Sequence, residues 1–227
     1  MAPAADPVPR ALLRLLLAGL AAGAVAVACE APLVDLALTL IRACLDAVDG
    51  TFRTIALRAV PQGGELMIAR VATPAITQVL GTRVITPDPA ILLSTAVSGG
   101  LVLQPLVLMT ALLAAWPWQR PAELALRAVL AAPLALLVLA LDVPLMLYGL
   151  LWYQEVSAFE PERFSPLVLW TDFVNAGGRH ALALAAAALA VAGARGILTG
   201  LPSPVPPGRP ATALPAAPPS LPADRAA

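Results

Sequence analysis

The sequence predicts an all-α transmembrane protein: a four-span helical membrane protein with a small extracytoplasmic β-hairpin element and a disordered Pro-rich C-terminal tail. Three observations lead there. The chain is 59% hydrophobic and 12% charged with a mean hydropathy of +0.84, whereas ordinary soluble domains are about 25% charged. Four apolar runs are each long enough to cover a bilayer core of roughly 30 Å at about 1.5 Å per residue. Between them, at residues 51–73, the apolar period changes from helical to alternating.

The formal net charge is zero, every one of the 14 basic residues is Arg, and no basic run occurs. Phosphate binding needs clustered cations, so nucleic acid is excluded as a partner.

Residues 11–28 form the first apolar run, broken only by Arg14 and preceded by Arg10. The positive start predicts a signal-anchor span over residues 1–28 with a cytoplasmic amino terminus. Ala26-Val27-Ala28 before Cys29 also resembles a cleavage site, and cleavage there would leave Cys29 as a lipidation candidate.

Residues 29–97 read as an extracytoplasmic region. Val34, Leu38, Ile41, Leu45 and Val48 stand at helical spacing, with Asp35, Arg42, Asp46 and Asp49 to one side. An amphipathic helix resting on the membrane or on partner helices follows. Cys44 lies on it, 15 positions after Cys29; the two form a disulfide or are simply two packed small residues. The alternating segments 54–60 and 65–71 flank Pro61-Gln62-Gly63-Gly64 and predict a hairpin with Arg58 and Arg70 exposed. Two strands alone are marginal in water. Residues 81–86 are the expected third strand, and the remaining edge is either covered, only finishing the fold, or open to accept a partner's strand.

Residues 98–152 read as a transmembrane helical hairpin. Its first span is residues 100–116 after a frayed Ser98-Gly99-Gly100 start, and its second begins at Leu124 and carries Pro133 and Pro144. Arg120 and Arg127 place the turn on the cytoplasmic side. Residues 153–179 follow as an outer interfacial loop with Glu155, Glu160 and Glu162. The Ala-rich fourth span, residues 180–199, should pack inside the bundle because small side chains let helices approach closely. Arg195 keeps the carboxyl terminus cytoplasmic, and residues 200–227 lack any apolar period and read as a disordered tail.

Asp142 stands inside an apolar run, where insertion of an acid costs roughly 2.5–3.5 kcal/mol. Gln104 falls in the matching half of its own span, so a hydrogen bond between the two is expected. Gly177, Gly178, Arg179 and His180 open the fourth span and suggest an interfacial anion or lipid contact at a helix start, or a flexible start with Arg179 at the headgroup level. His180 is the sole histidine. One His and two distant Cys match no zinc spacing, so no metal is expected. No nucleophile has a visible base and no phosphate-binding loop occurs, so no catalytic residue and no cofactor is assigned.

Val84-Ile85-Thr86-Pro87-Asp88-Pro89, Gly99-Gly100 with Pro105-Leu106, Ala114-Ala115-Trp116-Pro117 and Phe173-Val174-Asn175-Ala176-Gly177-Gly178-Arg179 together resemble the small exosortase-associated bacterial integral membrane proteins. The resemblance implies an inner-membrane accessory role beside a membrane-embedded protein-sorting enzyme. It does not extend to activity, because Cys29 and Cys44 stand in no catalytic span motif. The leading expectation is a non-enzymatic accessory or assembly subunit of an envelope protein-sorting complex, in contact with membrane lipids and another integral membrane protein. The alternatives are a small transporter or channel subunit using Asp142 and Gln104, and a membrane enzyme with an unrecognised site at Asp142 or His180.

Overall fold

The computed structural model describes residues 7–63, 65–80, 82–118 and 121–200. The expected tail from residue 201 onward, and Arg120 of the turn, lie outside the described residues. The elements run α1 (Pro7–Ala28), α2 (Glu30–Val48), β1 (Phe52–Gln62), β2 (Glu65–Pro74), β3 (Gln78–Leu80), β4 (Arg83–Ile85), β5 (Leu93–Ser98), α3 (Gly99–Ala115), α4 (Pro121–Phe159), α5 (Pro166–Phe173), a π-helical turn (Val174–Gly178) and α6 (Arg179–Gly200). Three helical stretches are long and apolar enough to cross a membrane: Ala11–Ala28, Pro121–Phe159 and Pro166–Thr199. The fourth expected span is α3, apolar but only 17 residues long.

α1, α3, α4 and α6 form a bundle in which α3 packs on the other three and α4 packs on α6. Its core joins Met109, Ala131 and Val138 to Ala183, Ala186, Ala187 and Ala190 of α6. The Ala-rich face is therefore consumed within the chain, as small residues at a close helix crossing should be.

Beyond the bundle stands a small α/β domain, and α4 runs straight into it. The expected end of this helix near residue 152 is not where it stops, because its last turns are the domain's inner wall. Leu139, Val143, Met146 and Leu147 of α4 pack on Val34, Ala37, Ile41 and Leu45 of α2 and on Leu57 and Ile68 of the sheet. A second layer sets Phe52 and Ala72 on Leu151. Glu155, expected in an outer loop, is buried on α4 for the same reason. α5 turns back along α4 so closely that a side chain at Gly149 would overlap the Thr171 hydroxyl. The Trp170 indole donates to the Leu141 carbonyl at 2.9 Å, in the turn that Pro144 disturbs.

The hairpin of β1 and β2 is present, pairing Gln62 with Glu65 and Phe52 with Pro74. Its third strand is not residues 81–86 but β5, which pairs Ala72 with Leu93 and Met67 with Ser98. The segment 83–85 folds back on β3 in a separate two-stranded ladder. Ser98-Gly99-Gly100 is accordingly a strand-to-helix junction and not a frayed helix start. Gly99 is required there, since an added Cβ would lie 2.8 Å from the Leu66 carbonyl. The order β1-β2-β5 leaves β1 at an edge. That edge is protected: Arg42 donates to the Leu57 carbonyl at 3.3 Å, and Pro61 shares Leu57's outward parity, so its missing N–H costs no ladder bond.

Candidate functional site: the buried ion pairs at both ends of the bundle

Arg179 opens α6, and the kink that aims it comes from Gly177 at φ 110°, a conformation that L side chains rarely adopt. Gly178 closes that turn on the Phe173 ring, where any Cβ would overlap the aromatic carbons. Arg179 is 3% exposed and Asp142 1% exposed. Their charged atoms are 3.7 Å apart. The guanidinium also donates to the Leu101 carbonyl at 3.3 Å and faces the Met146 sulfur at 3.4 Å. Three elements, the starts of α3 and α6 and the middle of α4, thus meet at one buried ion pair.

This overturns two expectations. Asp142 does not pair with Gln104, which is exposed on the far side of α3 and lines a groove shared with α1. Residue 104 falls one helical turn past Leu101, on the side turned away from α4. Arg179 does not sit at a flexible, exposed helix start, because the Gly177 kink carries it inward to the only acid of that level in α4. Gly177 and Gly178 shape the kink, and His180 is partly buried beside it.

At the other end of the bundle, Arg127 is fully buried and forms an ion pair with Glu123 one turn earlier. It also donates to the Trp116 carbonyl at 2.9 Å and the Pro117 carbonyl at 3.0 Å, closing the carboxyl end of α3, where a cation is favoured by the helix dipole. Arg195 of α6 joins at 3.4 Å from Glu123 and 3.3 Å from the Pro117 carbonyl. In the sequence, Arg127 and Arg195 mark only the topology of their spans. The Glu123-x-x-x-Arg127 spacing was the available signal for the pair; Arg195 joins it only through the antiparallel course of α6.

Between these two levels the bundle carries no acidic or basic side chain except His180. The charge-free intervals are 15–29 in α1, all of α3, 128–141 in α4 and 180–194 in α6. At about 1.5 Å per residue the levels lie about 22–29 Å apart on every helix.

In the domain, Arg70 was expected to be exposed and is fully buried. It shares the inward parity of Ile68 and Ala72 on β2. It pairs with Asp49 and donates to the Thr54 hydroxyl at 3.0 Å. Asp49 also accepts the Thr51 and Phe52 amides at 3.0 and 2.9 Å, which fixes the passage from α2 into β1.

Cys29 is exposed and Cys44 half-buried, and both thiols are free. An internal disulfide is excluded by geometry: 15 helical positions separate them by about 22 Å, far beyond the roughly 7 Å limit between bridged Cα atoms. Among the described residues no group of three or more His, Cys, Asp and Glu is placed to hold a metal ion.

No protein-family model matches the chain, and no curated protein or solved structure is similar enough to count as a match.

Proposed function

We propose that this chain is a four-span, non-catalytic assembly subunit of the bacterial inner membrane, with both termini cytoplasmic and the α/β domain extracytoplasmic. The similar charge-free intervals, about 21–26 Å each, support α3 as a fourth span, since each spans most of a hydrocarbon core of about 30 Å and leaves long ionic side chains to reach the two boundaries. Arg14, Arg127 and Arg195 share one level and support the cytoplasmic assignment of that end.

The observation that carries the assembly reading is the far end of the sheet. Val79 and Val84 are cross-strand partners, each 63% exposed, and Ile76, Ile91 and Leu92 are exposed beside the same end of β2 and β5. β5 separates this end from the start of α3 by six residues, about 20 Å, so the bilayer does not cover it. Exposed apolar side chains clustered in water mark a surface for another protein. With the Ala face of α6 buried at home, this distal cap is the surface on which another integral membrane protein docks, an exosortase-type enzyme being the partner class implied by the resemblance. The test is affinity purification in mild detergent followed by mass spectrometry. A stoichiometric membrane partner recovered with the native chain and lost with Val79→Glu/Val84→Glu supports the reading; the native chain recovered alone, or the partner unaffected by both changes, refutes it.

A further inference from the structure

The short ladder of β3 and β4 leans on the end of α4 by its inner side. Gln78 and Leu80 of β3 point inward and are buried, while Val79 between them points out. Only three residue pairs join the two strands. Arg163 adds a hydrogen bond to the Val79 carbonyl at 3.4 Å, and the Arg83 guanidinium lies 5.8 Å from the centre of the Phe159 ring. Two strands of this length are not stable alone, so what their inward side chains meet decides whether the ladder stays seated.

Gln78 meets Glu155. This carboxyl stands 13 residues past Asp142 on α4, about 20 Å further into the domain and clear of the membrane. Gln78 is 7% exposed and Glu155 5% exposed. The amide faces the carboxylate, yet its Nε2 and Oε1 complete no hydrogen bond, and Glu155 Oε2 is equally unpaired. An ionised carboxylate only accepts, so it has nothing to offer the Gln78 Oε1. A protonated carboxyl supplies the missing donor: its O–H donates to Oε1 while its other oxygen accepts from Nε2, and all three unpaired atoms are satisfied.

No charged side chain of the surrounding elements compensates the ionised form. β3 and β5 carry none. Arg83 of β4 lies on Phe159, Arg163 is paired with Glu160 at 3.2 Å, and Arg70 of β2 is paired with Asp49. Asp88, ahead of β5, accepts the Ala90 amide at 2.8 Å. Burial therefore pushes the Glu155 carboxyl up from the ordinary carboxylate range, and the Gln78 amide offsets only part of this.

We propose that Gln78 and Glu155 are a proton-operated latch for the β3–β4 ladder: protonated, the pair closes and seats the ladder on α4; ionised, the carboxylate takes up water and the ladder lifts. The seated state holds the proton more tightly than the lifted one. Closure is therefore complete below the ordinary carboxylate value of about 4.3 and is lost as the pH rises through the raised one. Val79 and Val84 ride on the outer side of the ladder, so the latch also governs when that part of the distal cap is presented. Only this consequence rests on the docking reading; the latch itself belongs to the chain alone and is tested on it without a partner.

The test is amide exchange by mass spectrometry on the full chain in nanodiscs at pH 4 and pH 8, with each rate divided by its intrinsic chemical rate. Opening of residues 78–80 and 83–85 should be at least about fivefold greater at pH 8, since each unit between the seated and lifted values allows up to about tenfold. Residues 93–98 should stay protected at both. Glu155→Gln places an amide that both donates and accepts opposite Gln78, and should hold the ladder closed at both pH values. Glu162→Gln, an exposed carboxyl of the next loop, should leave the native dependence in place. Equal opening of the ladder at the two pH values in the native chain overturns the proposal, whether or not the Glu155 variant folds. So does greater opening at pH 4, a dependence that survives Glu155→Gln, or an opening that residues 93–98 share.

Discussion

Removing Arg179 should cost far more than its single ion pair suggests, and removing Asp142 as well should restore most of the loss. At 3.7 Å the gross attraction is about 4.5 kcal/mol for an effective dielectric near 20. Both groups are almost wholly buried, so desolvation offsets much of that gain, and the net value of the pair is small. Arg179→Met alone strands a buried carboxylate and should destabilise by about 3–5 kcal/mol. Asp142→Leu alone leaves the guanidinium with the Leu101 carbonyl and the Met146 sulfur, and should cost a similar amount. The double substitution replaces two charges by apolar groups and should cost about 1–2 kcal/mol, a coupling of at least about 4 kcal/mol. Unfolding in mild detergent titrated with sodium dodecyl sulfate measures this, with Trp170, bonded to the Leu141 carbonyl next to Asp142, as the fluorescent reporter. Gln104→Leu serves as control and should stay within about 0.5 kcal/mol, because Gln104 is exposed. Single losses that add to within about 0.5 kcal/mol, or a coupling between Gln104 and Asp142, would refute the assignment of Arg179 as the partner.

At the opposite end, Arg127→Leu should destabilise by about 3 kcal/mol in the same titration, since it removes the buried partner of Glu123, leaving the half-exposed Arg195 beside it, and uncaps α3. Arg195→Ala should cost under about 1 kcal/mol, its side chain being 48% exposed. Gly149→Ala should cost about 1–3 kcal/mol by driving α5 off α4, and Thr171→Ala in the same chain should return most of it, because the hydroxyl is the obstructing group. Maleimide titration under oxidising conditions should count two free thiols per chain, with Cys29 reacting before Cys44. Amide exchange should be slow along residues 93–98, paired with β2, and fast along residues 83–85, which hold only a three-residue ladder.

Much of this architecture was legible in the sequence. The apolar runs, the hairpin of residues 54–71 and the inward packing of the Ala-rich helix all follow from period and side-chain size. Arg70 was readable too: it has the same parity as Ile68 and Ala72, and parity outranks charge once a buried acid is at hand. Asp49, at the end of the preceding helix, is that acid. The third strand was harder, because residues 81–86 read as a short strand while residues 93–98 run on into the apolar stretch of the following span. Only the strand-to-helix close approach at Gly99, which ties β5 to β2, favours the second. The partner of Asp142 could not be read at all. Helical phase places Gln104 and Asp142 at similar depth, but whether they face each other depends on how α3 is rotated, and on a kink at Gly177 that brings Arg179 in from a third element.

The same geometry changes what a loss of function at Asp142 would mean. α4 belongs to both cores: Ala131 and Val138 pack in the bundle, and Val143, Met146 and Leu147 pack in the domain. Asp142 lies at the join, and its ion pair ties the starts of α3 and α6 to that point. Asp142→Asn therefore loosens the seating of the domain on the bundle, and a defect in partner recovery would follow with no proton or substrate ever passing the carboxylate. A transport or catalytic role needs the ionisable group itself, so it should be abolished equally by Asp142→Asn and by Asp142→Leu/Arg179→Met. A purely positional role should be restored by the apolar pair. Partner recovery that returns in the double variant would assign Asp142 to holding the domain in place; recovery that stays lost while the fold is intact would move it to the chemistry of a polar path.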